Sequence, residues 1–188
     1  MTEKQLSPIP TAAEMQYAVS ELESTRDALL DTCATLPQNA WTLSDGEARW
    51  TAAQVLEHIT IVERRVVGLL EKMLGQPPEP DWHDRTASKD AILPHTRVAN
   101  EKLTAPPPLH PTGQQTPAEL IAAFQSARAA TLAFAARPHQ PLKEHTQKHL
   151  ALGELNGYQW LVLAAHHTTR HLAQIKRCAQ PPHAPTTA

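Results

Sequence analysis

Two histidines, His167 and His171, stand four residues apart in a stretch of sequence with helical character. On a helix this spacing places both imidazoles on one face about one turn apart, so they can reach a common metal ion. Among the 11 histidines of the chain, such a pair can also arise by chance, as two histidines at the polar edge of a helix. The spacing alone therefore leaves a metal site and a surface pair open.

The residues around this pair favour burial. They follow the three-and-four spacing of one helix face, which carries Trp160, Ala164, His167, His171, Gln174 and Cys178. A buried neutral imidazole has to form a hydrogen bond or bind a metal to offset its lost hydration, which favours a ligand role for both histidines. His166 points about 100° away from His167 and is predicted to face a neighbouring helix or solvent.

A third ligand can be sought by its depth in a helical bundle. His58 lies seven residues after a predicted helix start at Thr51, and His171 lies seven residues before Cys178. If the two helices are antiparallel, both histidines are roughly 10 Å from the same end of the bundle, at about 1.5 Å per residue. We therefore predict that His58 converges with His167 and His171. Three protein ligands and an open position are typical of a catalytic zinc site.

The distribution of prolines outlines the elements that must carry these residues. Proline is excluded from helix interiors, and the 17 prolines of the 188-residue chain leave four long windows free. Alanine and leucine supply 51 residues, against 13 for valine and isoleucine, which favours helices over strands. The sequence thus predicts an all-α fold.

Each window opens with the pattern of a capping box, a Thr or Asn followed three residues later by Glu or Gln. The four pairs are Thr11–Glu14, Thr51–Gln54, Thr116–Glu119 and Asn156–Gln159. They predict helices at about residues 11–36, 51–74, 116–137 and 156–179. Four helices of similar length indicate a four-helix bundle.

About 40 residues join the second and third predicted helices, far more than antiparallel neighbours need. This connection predicts a crossover along the bundle, with a short helix within residues 81–103. We further predict a single domain over residues 11–180, a flexible N-terminus at residues 1–10 and a disordered tail at residues 181–188.

Composition limits the classes of function. A net charge of -2 offers no basic surface for nucleic acid or for an anionic membrane. The chain has no apolar stretch of the roughly 20 residues that span a bilayer and no apolar secretory signal, so a cytoplasmic location is expected. Cys33 and Cys178 match no metal or redox motif and are expected to be small buried hydrophobes. The expected partner is a small-molecule substrate, and a homodimer is one alternative for the oligomeric state.

Two stretches of the sequence resemble one family. Residues 50–58, which include Trp50, Thr51 and His58, resemble the start of the second helix in DinB-like proteins. Residues 153–175, which contain the pattern His-x-x-Arg-His-x-x-Gln-Ile from His167 onward, resemble their fourth helix. The resemblance implies up-down-down-up order, with the long crossover between helices two and three. It also implies a divalent metal, zinc or nickel, held by His58, His167 and His171.

The DinB-like family includes thiol-dependent S-transferases, among them bacillithiol transferases, and is related to mycothiol-dependent maleylpyruvate isomerases. The resemblance therefore implies an enzyme that activates a small thiol, with a low-molecular-weight thiol as co-substrate. A divalent ion held by neutral ligands can equally lower the pKa of bound water, so a metal-dependent hydrolase is a second interpretation. A bundle that binds a metal or a ligand without turnover is a third. The catalytic groups stay unassigned, because the nearest carboxylates in sequence, Glu57 and Glu63, match no family motif.

Other side chains are candidates for supporting or substrate-binding roles. Arg170 and Gln174 flank the histidine pair, and His149 precedes the fourth predicted helix. Trp41 and Trp50 belong to the loop that reaches the same end of the bundle, where they can line a substrate pocket or fill the core.

Overall fold

A computed structural model describes residues 6–97 and 104–179 of the chain. In chain order the α-helices and strands are α1 (Ala12–Thr35), α2 (Ala52–Leu74), α3 (Trp82–Thr86), α4 (Lys89–Ile92), α5 (Pro117–Ala135), β1 (Thr146–His149), β2 (Gly153–Asn156) and α6 (Gly157–Cys178). The four long helices, α1, α2, α5 and α6, form an all-α four-helix bundle. Residues 1–5 and the predicted tail lie outside the described ranges, and the domain division stays a prediction.

The capping boxes begin the long helices where the sequence predicts them. Thr11, Thr51, Thr116 and Asn156 each accept a hydrogen bond from the amide three residues on, and the Glu or Gln there accepts from the cap's own amide. These bonds pair amides that the first helical turn leaves without a partner inside the helix. The four helices consequently start and end within two residues of the predicted bounds.

Two clusters of buried apolar side chains show how the helices run. One cluster joins the early part of α1 to the late part of α2 and α5 and the early part of α6, through Leu22, Leu70, Phe134 and Leu161. The other joins the opposite halves, through Leu29, Val55, Phe124 and Ile175. Helices α1 and α6 are therefore parallel to each other and antiparallel to α2 and α5, which is up-down-down-up order.

The long connection between α2 and α5 carries short helices, α3 and α4, inside the segment predicted to hold one. This crossover is attached to the start of α6 by polar contacts at Thr86. The Asn156 side-chain amide donates to Thr86 Oγ1 at 3.1 Å, and Gln159 donates to the Thr86 carbonyl at 2.9 Å. The capping pair of α6 thus also holds the crossover in place.

A two-stranded antiparallel hairpin, β1 and β2, leads into α6 and was not predicted. Its strands have four residues each, and β1 reads Thr-Gln-Lys-His, without the apolar alternation that identifies a strand in sequence. The turn brings Gly153 into the left-handed region at φ +75°, where a residue without Cβ meets no strain.

A buried arginine lies where all four long helices meet. Arg128 of α5 donates all five of its N–H groups: two to the Glu63 carboxylate of α2, one each to the Leu22 carbonyl and Thr25 Oγ1 of α1, and one to Thr168 Oγ1 of α6. The five donor–acceptor distances lie between 2.6 and 3.0 Å. Arg128 therefore has its full hydrogen-bonding capacity satisfied inside the bundle.

Cys33 and Cys178 are buried free thiols, as expected, and burial raises the pKa of Cys33 to about 11.

Among the described residues, no helix has both the length and the apolar character to cross a membrane.

Candidate metal centre

Three histidines from two facing helices meet near one end of the bundle. His58 lies in the second turn of α2, His167 lies at the middle of α6, and His171 lies one turn further along α6. One ring nitrogen from each lies within 4.8 Å of the other two, and the group they form can hold a metal ion. The Nε2 atoms of His58 and His167 are 3.2 Å apart. Two nitrogens bound to one ion at about 2.0–2.1 Å stand roughly 3.0–3.4 Å apart, so this spacing fits a shared ion.

The ring of His58 is held by the backbone of the crossover. Its Nδ1 lies 2.9 Å from the Leu109 carbonyl oxygen, which can only accept a hydrogen bond. Nδ1 therefore carries the proton, and Nε2 presents its lone pair towards His167. This is the tautomer that a metal ligand needs.

His171 has a comparable support on its own helix. Its Nδ1 lies 3.0 Å from Gln174 Oε1, one turn further along α6. A donor at Nδ1 again leaves Nε2 with its lone pair. The structure thus places Gln174, a sequence candidate for a supporting role, in contact with a proposed ligand.

The three imidazoles are neutral at neutral pH. Burial lowers the pKa of His58, His167 and His171, and each ring is further disfavoured as a cation by neighbouring positive groups. The pKa of His171 falls to about 4, through burial first and then through the repulsion that His58 would exert if both rings were protonated. Neutral imidazole is the form that binds a metal, because a protonated ring has no lone pair to donate.

Arg170 and His149 lie near the triad without belonging to the ligand group. The charge of Arg170 lowers the pKa of all three histidines, and that of His149 lowers the pKa of His167. His149 Nδ1 accepts hydrogen bonds from the amides of Ala151 and Leu152 in the hairpin turn, each at 3.2 Å. These bonds orient the His149 ring from the hairpin.

The two tryptophans of the preceding loop occupy different environments. Trp50 packs on His58, with ring centroids 4.7 Å apart, and its ring centroid also lies 6.0 Å from that of His110. Trp41 is 5% exposed and packs in the core cluster near this end. Trp50 therefore adjoins the triad, whereas Trp41 has the core-filling role that the sequence left open.

His166 faces away from the triad, as predicted. It is fully buried, and its Nδ1 lies 2.9 Å from the Leu93 carbonyl and 3.2 Å from Thr96 Oγ1, both in the crossover. The neighbouring histidines His166 and His167 thus lie on different faces of α6.

Sequence reasoning missed the contribution of the crossover to the site. Leu109 acts through its carbonyl, which no side-chain pattern reveals. Glu57, adjacent to His58, accepts hydrogen bonds from Thr112 and Gly113 just after Leu109. The sequence predicted the crossover from the length of the connection, without assigning it any contact with the histidines.

Comparisons with known proteins agree with the four-helix bundle. The model of a family described as the DinB superfamily matches residues 21–175 of the chain. The chain is also similar to the crystal structure of TT2238, described as a four-helix bundle protein, at 23% identity and a TM-score of 0.57. That likeness covers 86% of this chain and 98% of the other. At this identity the likeness supports the fold alone. A comparison with curated proteins finds no match.

Proposed function

The chain belongs to the DinB superfamily, and we propose that it is a divalent-metal-dependent enzyme that activates a small thiol or water for transfer to a small-molecule substrate. The proposed ligands are His58, His167 and His171, and the proposed ion is zinc or nickel. A transferase that uses a low-molecular-weight thiol is favoured over a hydrolase, because the resemblance to DinB-like proteins includes thiol S-transferases.

The proposal rests on one feature of the triad: two ring nitrogens lie close together, and a backbone contact fixes the tautomer of one of the two rings. The Nε2 atoms of His58 and His167 stand 3.2 Å apart, and the proton of His58 is held on Nδ1 by Leu109. The lone pair of His58 Nε2 faces His167 Nε2, and at this distance either a proton on His167 Nε2 or a shared cation lies between the two nitrogens. Imidazole nitrogen is a good ligand for zinc and nickel, which supports those ions over calcium or magnesium.

The ligand set also supports a catalytic rather than a structural role. Three protein ligands leave at least one coordination position for another molecule. When bound, a divalent ion supplies Lewis acidity, which lowers the pKa of a water or a thiol beside it. Because all three imidazoles are neutral, the ligands do not offset the charge of the ion.

The surrounding residues are proposed to orient and select the substrate. Trp50 packs on His58 and offers an apolar wall, while Gln174 holds the ring of His171. Arg170 adds positive charge near the triad, which favours an anionic thiol or substrate group. His149 is proposed as an accessory group on the hairpin side.

The remaining expectations about partners stay proposals. The net charge of -2 argues against nucleic acid and anionic membranes as partners. We propose a cytoplasmic protein that acts on a small molecule, with a homodimer as one alternative for its assembly.

The test starts with elemental analysis of the purified protein, followed by cobalt substitution and a panel of small thiols with electrophilic acceptors. Thiol-dependent product that disappears in His58→Ala and persists in the matched variant His83→Ala supports the transferase. Product formed with water alone supports the hydrolase. A metal-loaded protein that forms no product with either nucleophile would contradict the enzyme proposal and favour a binding protein.

A further inference from the structure

The carboxylate of Glu57 is buried beside the metal centre and holds a loop of the crossover. Glu57 is 5% exposed. Its Oε1 accepts from the Thr112 amide at 2.8 Å and from Thr112 Oγ1 at 2.7 Å, and its Oε2 accepts from the Gly113 amide at 2.8 Å. Burial alone would raise the pKa of Glu57, but the bonds from Thr112 and Gly113 outweigh it and leave that pKa below its ordinary value.

The chain segment held in this way, residues 109–113, fits closely against the start of α2. Gly113 adopts φ +70°, and a Cβ there would lie 3.2 Å from Gln54 Nε2. The same Gln54 completes the capping box of α2 through its bond with the Thr51 amide. The 109–113 loop is therefore attached to the first two turns of α2.

The first residue of this loop acts on a proposed metal ligand. Leu109 accepts the Nδ1 proton of His58 through its carbonyl, four residues before Gly113. Glu57 and His58 are neighbours on α2. The Glu57 carboxylate therefore binds the end of the loop, and the His58 ring donates to the carbonyl of its first residue. The tautomer of a histidine ligand is set by the bond at its second nitrogen, and loss of such a support typically weakens metal binding about 10–100-fold.

We propose that Glu57 is a positioning residue for the metal centre: by clamping the 109–113 loop it places the Leu109 carbonyl that keeps the His58 proton on Nδ1 and its Nε2 free for the ion. The proposal rests on the proposed function for its effect on metal affinity, and on the loop contacts alone for its effect on the tautomer. Glu57 itself has its carboxylate occupied by three donors and is assigned no contact with the ion.

The variant Glu57→Gln keeps the size of the side chain but replaces one acceptor oxygen with an NH2 group, which cannot accept from a backbone amide. A matched control exists at the start of α5. Glu119 accepts from the Thr116 amide at 2.8 Å and from Thr116 Oγ1 at 2.7 Å, in another part of the chain. Glu119→Gln therefore makes the same chemical change without touching the 109–113 loop.

The first readout is nitrogen-15 NMR of the histidine rings in metal-free protein. We expect His58 to be protonated on Nδ1 in the unmodified protein and in Glu119→Gln, and to show the form protonated on Nε2 in Glu57→Gln. The second readout is the Zn²⁺ dissociation constant by competition with a chromophoric chelator. We expect it to rise about 10–100-fold in Glu57→Gln and to change less than twofold in Glu119→Gln.

The outcomes separate this proposal from a structural role and from the proposed function. Glu57→Gln with an unchanged His58 tautomer overturns the proposal, whether or not stability or Zn²⁺ affinity falls. If the unmodified protein binds no metal, the proposed function fails, and the tautomer comparison then decides this proposal alone. If Glu57→Gln does not fold, Glu57→Asp keeps the charge but shortens the side chain by one CH2 group, which draws the carboxylate away from its three donors, and an unchanged tautomer in that variant overturns the proposal.

Discussion

Arg128 and Glu63 form an ion pair with side chains 0% and 2% exposed, at a distance of 2.7 Å, in the middle of the four-helix bundle. The desolvation of two such charges is costly, and their mutual attraction offsets it only when the remaining hydrogen-bonding groups are satisfied. Here the guanidinium also reaches α1 and α6. Removal of one partner would leave the other as an uncompensated buried charge.

We therefore predict that Arg128→Met and Glu63→Gln each lower the free energy of unfolding by about 3–5 kcal/mol. The double variant should lose less than the sum of the two, because neither charge is then left alone. Urea unfolding measures all three values. The exposed pair Arg137–Glu71 supplies the control, and Arg137→Ala should cost no more than about 1 kcal/mol. Additive losses at Arg128 and Glu63 would contradict this account.

His171→Ala should lose most of its bound metal, because only two of the three proposed ligands remain. Metal per folded protein, measured by elemental analysis and normalised by circular dichroism, checks the prediction. His166→Ala is the matched variant on a different face of α6, and its folded fraction should keep the metal. If His166→Ala lost the metal while His171→Ala kept it, the assignment of faces would be wrong.

The contact between His171 and Gln174 predicts that two substitutions of Gln174 change the affinity for Zn²⁺ differently. Gln174→Leu removes the acceptor at His171 Nδ1 and should weaken Zn²⁺ binding about 10–100-fold. Gln174→Glu keeps an acceptor oxygen and should bind Zn²⁺ at least as tightly as the unmodified protein. Competition with a chelator measures both constants. Equal affinities in the two variants would show that the contact does not support the ligand.

The metal-free protein should lose stability as the pH falls from about 7 to 5. The folded pKa of His171 is about 4, below its ordinary value, so the unfolded chain binds the proton first over this window. The free energy of unfolding then rises with pH, by up to about 1.4 kcal/mol per pH unit for each such proton. Urea unfolding with chelator present measures the slope, and His171→Gln should reduce it. A slope that is the same in both proteins would contradict the assignment to His171.

The parts of the fold that sequence could predict are those with local causes. A capping box needs only four consecutive residues, which is why Thr51 and Asn156 locate helix starts closely. The His167 and His171 pair is likewise local. His58 could be added only through the assumption of antiparallel helices, which the arrangement of the core clusters bears out. Metal binding by the three stays a prediction.

The parts that sequence could not predict depend on contacts between distant segments. Arg128 stands in an alanine-rich helix, where a single arginine is usually a solvated surface residue. Its partner Glu63 is 65 positions away. Leu109 contributes a carbonyl that every residue type possesses, so its link to His58, 51 positions away, leaves no trace in residue types.

The pairing of α1 with α6 has a consequence for synthesis on the ribosome. The apolar face of α1 packs against α6, and more than one hundred residues separate the end of the first from the start of the second. A nascent chain therefore carries that face without its partner until the segment beginning at Gly157 has emerged. His58 likewise cannot meet His167 and His171 until that segment has been synthesised, so closure of the bundle and assembly of the histidine triad both come late in folding.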